Sequence, residues 1–218
     1  MKKVKAVFLD NDGVLVDTEC LYFEANRVVY SRFGIELTEE CYIENFLKNS
    51  KGAWHLFKEK GFTEERISQL REGRNRIYLK LLEEKAGAID GAENVLKQLY
   101  GKKIIGVVTS SRKDHFEIIH KKTGFNKYFD FVLTSDDYEH TKPNPEPYIK
   151  AIEKSGMNKE ECIAVEDSER GLRAALAAGI RCYVIPTHLT KNSDFTGAEK
   201  VLKNIDEIIP IIFDLSIS

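Results

Sequence analysis

Apolar residues follow two rhythms along this chain. Between Thr18 and about Glu84 they recur every three to four positions. Leu21, Ala25, Val28 and Val29 make one stripe, and Ile67, Leu70, Ile77, Leu81 and Leu82 make another. That period predicts helices with one buried side. Helices are expected over 18–33 with Gly34 as the stop, over 38–46, near 52–60, and from a Thr63 cap to about Glu84. Elsewhere the apolar residues form short, nearly continuous runs at 4–9, 103–108, 131–133, 163–165 and 182–185. Such runs suit strands buried on both faces. Helical stretches at 92–100, 112–123, 146–155 and 169–178 alternate with them. Strands alternating with helices predict a parallel sheet with right-handed crossovers. The expected fold class is α/β, a doubly wound, Rossmann-like parallel-sheet core of residues 1–16 and 86–218. A helical domain of residues 17–85 is inserted after the first strand.

Composition narrows the field. The 218 residues are 42% apolar, enough for a packed interior, and 33 Lys+Arg against 35 Asp+Glu leave a net charge of −2. That balance carries no nucleic-acid signature. No apolar run approaches a membrane span, no amino-terminal apolar segment is followed by a cleavage-site pattern, and the apolar tail at 208–213 is short and interrupted by Pro210. A monomeric, cytoplasmic protein that engages neither membrane nor nucleic acid is expected. Cys20, Cys41, Cys162 and Cys182 form no Cys-x-x-Cys pair. His55, His115, His120, His140 and His188 have no metal spacing and are expected to be surface or incidental residues. His140 alone, two residues before Lys142, is placed near a cleft.

In open α/β sheets ligands bind outside the carboxyl ends of the strands. The first strand ends in Asp10-Asn11-Asp12-Gly13, the second in Thr109-Ser110-Ser111, and the fourth in Glu166-Asp167-Ser168. The third leads through a loop to Lys142-Pro143. Side chains two apart on an extended backbone point the same way, so Asp10 and Asp12 can face one cleft. Two close anions need a proton or a cation. With Glu166 and Asp167 they make an oxygen-only set suited to a hard cation, with Mg²⁺ the best match to a site completed by water and phosphate. Lys142 adds a fixed positive charge. Thr109, Ser110 and the start of the following helix supply phosphate donors, and Ser110 or Ser111 is also expected to cap that helix. Asn144-Pro145 reads as a cap with proline at the first helical position. A carboxylate at Asp10 can attack phosphorus directly, while Asp12 gives a proton to the leaving oxygen and later takes one from water. Singly, each piece has a plain structural use, a solvated turn for Asp-x-Asp and a surface site for Lys142. In sequence they make a catalytic set.

Asp10-Asn11-Asp12-Gly13-Val14-Leu15, Thr109-Ser110-Ser111, Lys142-Pro143-Asn144-Pro145 and Val165-Glu166-Asp167-Ser168 resemble, in order, the four motifs of the haloacid dehalogenase superfamily. The resemblance implies Mg²⁺-dependent phosphoryl transfer, with Asp10 as nucleophile and Asp12 as acid/base. Asp10, the backbone carbonyl of Asp12 and Asp167 would hold the metal, Glu166 would support it, and Thr109 and Lys142 would hold the phosphoryl group. The inserted helices resemble the family's helical cap, which closes over the site. Asp17-Thr18-Glu19 resembles the first hinge of the subgroup containing β-phosphoglucomutase and sugar-phosphate or phosphoglycolate phosphatases. Mutase-like members carry a histidine early in the first cap helix, where this chain has Tyr22. The usual glycine- and serine-containing cap loop reads here as Asn49-Ser50-Lys51-Gly52. Lys51 and Arg74 are candidates for a substrate's distal group, against the plainer alternative of a solvated helix face. Trp54 and Phe57 are expected in the cap's core. The implied activity is phosphatase action on small phosphate esters such as sugar phosphates. The alternatives are a phosphomutase of β-phosphoglucomutase type and a non-catalytic binding protein.

Overall fold

The computed structural model describes residues 3–48 and 51–214. The chain divides into two compact units, Met1–Asp17 with Gly87–Ser218, and Thr18–Ala86. Asn49 and Ser50, part of the expected cap loop, lie outside the described residues.

Strand β1 (Ala6–Leu9) is buried at all four positions. The chain then enters the helical unit, with α1 (Glu19–Ser31), α2 (Glu39–Tyr42), α3 (His55–Glu59) and α4 (Glu64–Lys85). Thr63 caps α4 as its sequence position suggested, its hydroxyl accepting from Arg66 N at 3.3 Å. Helix α1 packs along α4. Trp54 and Phe57 are buried as expected. The Tyr30 ring lies 5.4 Å from Trp54 and edge-on to Phe57 at 4.8 Å, arrangements favoured by the ring quadrupole.

The helix expected over 38–46 differs. After α2 the backbone widens into a π-helical segment, Ile43–Lys48. The Asn45 amide donates to Cys41 O at 2.8 Å, and Tyr42 stacks on Phe46 at 4.8 Å. Tyr42, Phe46 and Leu47 are all buried. Packing of these three, rather than the regular period, sets the local winding.

Returning to the first unit, the chain forms α5 (Ala92–Leu99), β2 (Ile104–Val108), α6 (Lys113–Thr123), β3 (Phe131–Leu133), α7 (Glu146–Ser155), β4 (Cys162–Glu166), α8 (Glu169–Ala177), β5 (Arg181–Val184), β6 (Lys200–Val201) and α9 (Ile208–Ile212). The strands form one parallel sheet in the order β3-β2-β1-β4-β5-β6. Leu9 lies in register with Val107 on one side and Val165 on the other. The order reverses between β1 and β4, so the carboxyl ends of these two central strands form the crevice. Ala6 and Phe8 face a core shared with Phe131, Tyr148, Leu172 and Cys182.

β6 and α9 have no counterpart among the expected elements. β6 is two exposed residues without alternation, too short for a periodic signal. α9 accommodates Pro210 within its first turn, where the missing N–H removes no helical bond. Among the described residues no helix is long and apolar enough to cross a membrane.

The Tyr30 hydroxyl is buried without a hydrogen-bond partner. Such a group carries an uncompensated desolvation cost, so Tyr30→Phe should stabilise the protein by about 1 kcal/mol. Urea denaturation measures it, and destabilisation by the same amount would contradict this description of the helical core.

Candidate active site

The loop after β1 is wound around Asn11. Its carbonyl accepts from Val14 N, Leu15 N and Val16 N at 3.4, 2.9 and 3.1 Å. Gly13 has φ +84°, a left-handed conformation costly for other residues, and a Cβ there would lie within 3.0 Å of the Asp167 side chain. The sharp turn and the approach of Asp167 both require glycine.

Asp10 follows β1, its N–H donating to Val165 O at 2.9 Å. Lys142 reaches it from the loop before α7. The Lys142 ammonium donates to Asp10 Oδ1 at 2.9 Å, Glu166 Oε1 at 2.6 Å and Val108 O at 2.7 Å. An ammonium has three donors, and all are used. Glu166, at the end of β4, also accepts from the Tyr148 hydroxyl at 2.5 Å. Its other oxygen, Oε2, is buried without a hydrogen-bond partner. Glu166 packs directly over Gly171, where any Cβ would collide with its carboxylate.

Carboxylate oxygens of Asp10, Glu166 and Asp167 lie within 4.8 Å of one another. Burial, then Glu166, raises the Asp10 pKa to about 7 against the opposing pull of Lys142, with Asp12 adding to the rise. Burial also opposes the Lys142 charge, but Asp10 and Glu166 outweigh it and hold the ammonium's pKa above its ordinary value. One ammonium leaves three ionised carboxylates two charges short of neutral. Oxygen-only donors, that deficit and the unpartnered Glu166 Oε2 together fit a divalent cation.

Asp12 stands outside that trio. Its Oδ2 accepts from the Ser111 hydroxyl at 2.7 Å, the Thr109 hydroxyl at 3.1 Å and, at the long limit, the Asn11 amide at 3.4 Å. The Thr109 hydroxyl in turn accepts from Ser111 N at 3.0 Å, and Tyr138 donates to Thr109 O at 2.6 Å. Ser110 Oγ is buried beside the Tyr138 hydroxyl.

Several expectations are corrected here. No side chain at the N-cap position closes α6; Lys113 N bonds instead to Asp136 Oδ2 at 3.0 Å, which leaves Ser111 for Asp12. The Asn144 side chain does cap α7, accepting from Glu146 N at 2.9 Å. His115 and His120 are buried rather than at the surface, and His140 is exposed and paired with Glu146 at 3.0 Å. The histidine that reaches the loop after β1 is His120, whose Nε2 lies 2.7 Å from Asn11 Oδ1. Phe116, Ile119 and His120 share the buried face of α6; that i, i+3, i+4 spacing was the available signal. Tyr148 was legible in the same way, three and seven residues before buried Ala151 and Ser155 on one face of α7. In the helical unit Lys51 is exposed. Arg74 is not on a solvated face. It is buried, donates to Asn26 and Asn75 at 3.0 and 2.9 Å, and lies over the Tyr22 ring at 4.4 Å.

The family model described as haloacid dehalogenase-like hydrolase matches residues 7–185. The phosphorylated carbohydrates phosphatase of Thermotoga maritima is 30% identical over 215 residues, covering 96% of this chain and 98% of the relative. The pyrophosphatase PpaX of Bacillus cereus is 26% identical over 218 residues, covering 98% and 99%. Among solved structures, CbbY from Rhodobacter sphaeroides in complex with phosphate shares the fold with a TM-score of 0.77 at 24% identity, covering 94% of this chain and 96% of that one.

Two outcomes test the geometry. Gly171→Ala in an open helix would gain about 1 kcal/mol. Here the collision with Glu166 should reverse the sign and cost about 1–3 kcal/mol in chemical denaturation. Burial lowers the His120 pKa from 6.5 to about 4. Between those values the unfolded chain binds a proton that the folded protein does not. The stability this residue contributes is therefore complete above pH 6.5 and declines as pH falls towards 4. His120→Gln should remove up to about 1.4 kcal/mol per pH unit of slope within that window; identical slopes would contradict a buried neutral ring.

Proposed function

The chain belongs to the haloacid dehalogenase-like hydrolases, and on that basis we propose that it is a phosphatase of small phosphorylated metabolites of the sugar-phosphate type. The observation that carries the reading is the placement of Asp12. A second carboxylate, fixed by Thr109 and Ser111 two residues beyond the nucleophile, serves a leaving group that needs a proton. A halide needs none; an alkoxide does. The 30% identity to a phosphorylated carbohydrates phosphatase supports the substrate class.

The Asp10 carboxylate attacks phosphorus, and the bond to the ester oxygen breaks as Asp12 protonates it. An aspartyl phosphate remains on Asp10. Water then gives its proton to Asp12 and attacks phosphorus, releasing inorganic phosphate and the Asp10 carboxylate. Lys142 keeps Asp10 oriented and favours its ionised form. Thr109, Ser110 and the charge of Lys142 are the proposed phosphoryl-binding groups. Asp10, Glu166, Asp167 and the backbone carbonyl of Asp12 would hold Mg²⁺, which would offset negative charge on the carboxylates and phosphoryl oxygens. On the helical unit, exposed Lys51 is a freer candidate for a substrate anion than Arg74, whose guanidinium is engaged with Asn26, Asn75 and Tyr22.

Asp10→Asn should leave the fold intact by circular dichroism and cut phosphate release from a panel of sugar phosphates by roughly 10³-fold or more. Retained hydrolysis would overturn the mechanism. Isomerised sugar phosphate without phosphate release would identify a mutase instead.

A further inference from the structure

His120 and Asn11 form a buried polar pair that the reaction above does not use. His120 is 1% exposed and Asn11 0%. The ring is enclosed by Phe116, Phe125 and Phe129 at centroid distances of 4.2, 5.9 and 5.3 Å, which limits its tilt. Its Nε2 lies 2.7 Å from Asn11 Oδ1, and its Nδ1 lies 2.9 Å from Thr123 Oγ1.

The hydrogen-bond pattern assigns the tautomer. Asn11 Oδ1 can only accept, so Nε2 carries the proton. Nδ1 then accepts from the Thr123 hydroxyl, whose oxygen also accepts from Phe125 N at 3.3 Å. Every polar atom in this run has a role with the ring neutral and its proton on Nε2. Burial favours that neutral form. Asn11 is gripped twice, by its side chain from α6 and through its carbonyl by the three N–H groups of the loop. Its side-chain nitrogen faces Asp12 Oδ2.

We propose that His120 is a positioning residue, whose hydrogen bond to Asn11 holds the loop that presents Asp12 to the leaving oxygen. It touches neither the substrate nor a reacting atom. The inference rests on the phosphatase reading above, because it assigns His120 to the proton-transfer half of that reaction.

The test compares kcat/KM for phenyl phosphate and p-nitrophenyl phosphate. Phenolate is the poorer leaving group and depends more on protonation by Asp12. His120→Leu should lose on the order of tenfold on phenyl phosphate and markedly less on the nitrophenyl ester. His120→Gln, whose amide nitrogen can reach the place of Nε2, should restore most of the loss. Equal losses on both esters, no loss on either, or a Gln variant no better than Leu would overturn the proposal. Should the Leu variant fail to fold, His120→Gln against His120→Asn carries the same test. The shorter Asn cannot reach Asn11, so equal selectivity in the two variants would overturn it. Wild-type protein inactive on both esters and on the sugar-phosphate panel would overturn the phosphatase reading and this inference with it, whereas active wild type with an indifferent His120 would remove this inference alone.

Discussion

The buried ammonium of Lys142 is the contact on which the site depends. It gathers Asp10 and Glu166 from two strands and ties both to the carbonyl of Val108 on a third. Without it, the carboxylates of Asp10, Glu166 and Asp167 would repel one another in a region nearly closed to water. Removing one partner of a buried ion cluster costs about 3–5 kcal/mol because the remaining charges are left uncompensated. The compensation here is partial, and the remaining negative charge explains the fit to a divalent cation. The Asp10 pKa is raised to about 7 by burial and Glu166 against the pull of Lys142, which makes the ammonium part of what keeps this carboxylate ionised.

Simple backbone constraints make this arrangement possible. The sheet order puts β1 between β2 and β4, so the residues after three adjacent strands meet at one edge. Gly13 lets the chain turn sharply and admits Asp167, and Gly171 leaves the space that Glu166 fills. The two acids of Asp10-Asn11-Asp12 then separate in environment. Asp10 belongs to the ammonium and the other carboxylates. Asp12 belongs to the hydroxyls of Thr109 and Ser111. Separate surroundings allow separate roles, attack on one side and proton transfer on the other.

Much of this was legible in the residues. Continuous apolar runs marked β1 to β5, and the polar residues after β1, β2 and β4 named the site's edge. The parts that were not legible depended on tertiary context. The π-helical segment at Ile43–Lys48 follows from aromatic packing of Tyr42 and Phe46, and a two-residue β6 carries no period. Ser110 or Ser111 was expected to cap α6 because capping is a local use of serine; Asp136, 25 positions beyond Ser111, bonds the first N–H of α6 instead. His120 shows no metal spacing and reads as a surface or incidental residue, and Arg74 reads as a candidate substrate cation against the alternative of a solvated helix face. Helical spacing places His120 on a buried face, while the burial of Arg74 depends on Asn26, 48 positions away.

The central claim is that Asp10 takes the phosphoryl group before water does. The most direct measurement is the stereochemical course at phosphorus, with a phosphate monoester made chiral by oxygen isotopes and a chiral acceptor alcohol competing with water. Two successive in-line displacements, onto Asp10 and then off it, predict retention of configuration. Inversion would mean a single direct attack on the ester, and would contradict the account.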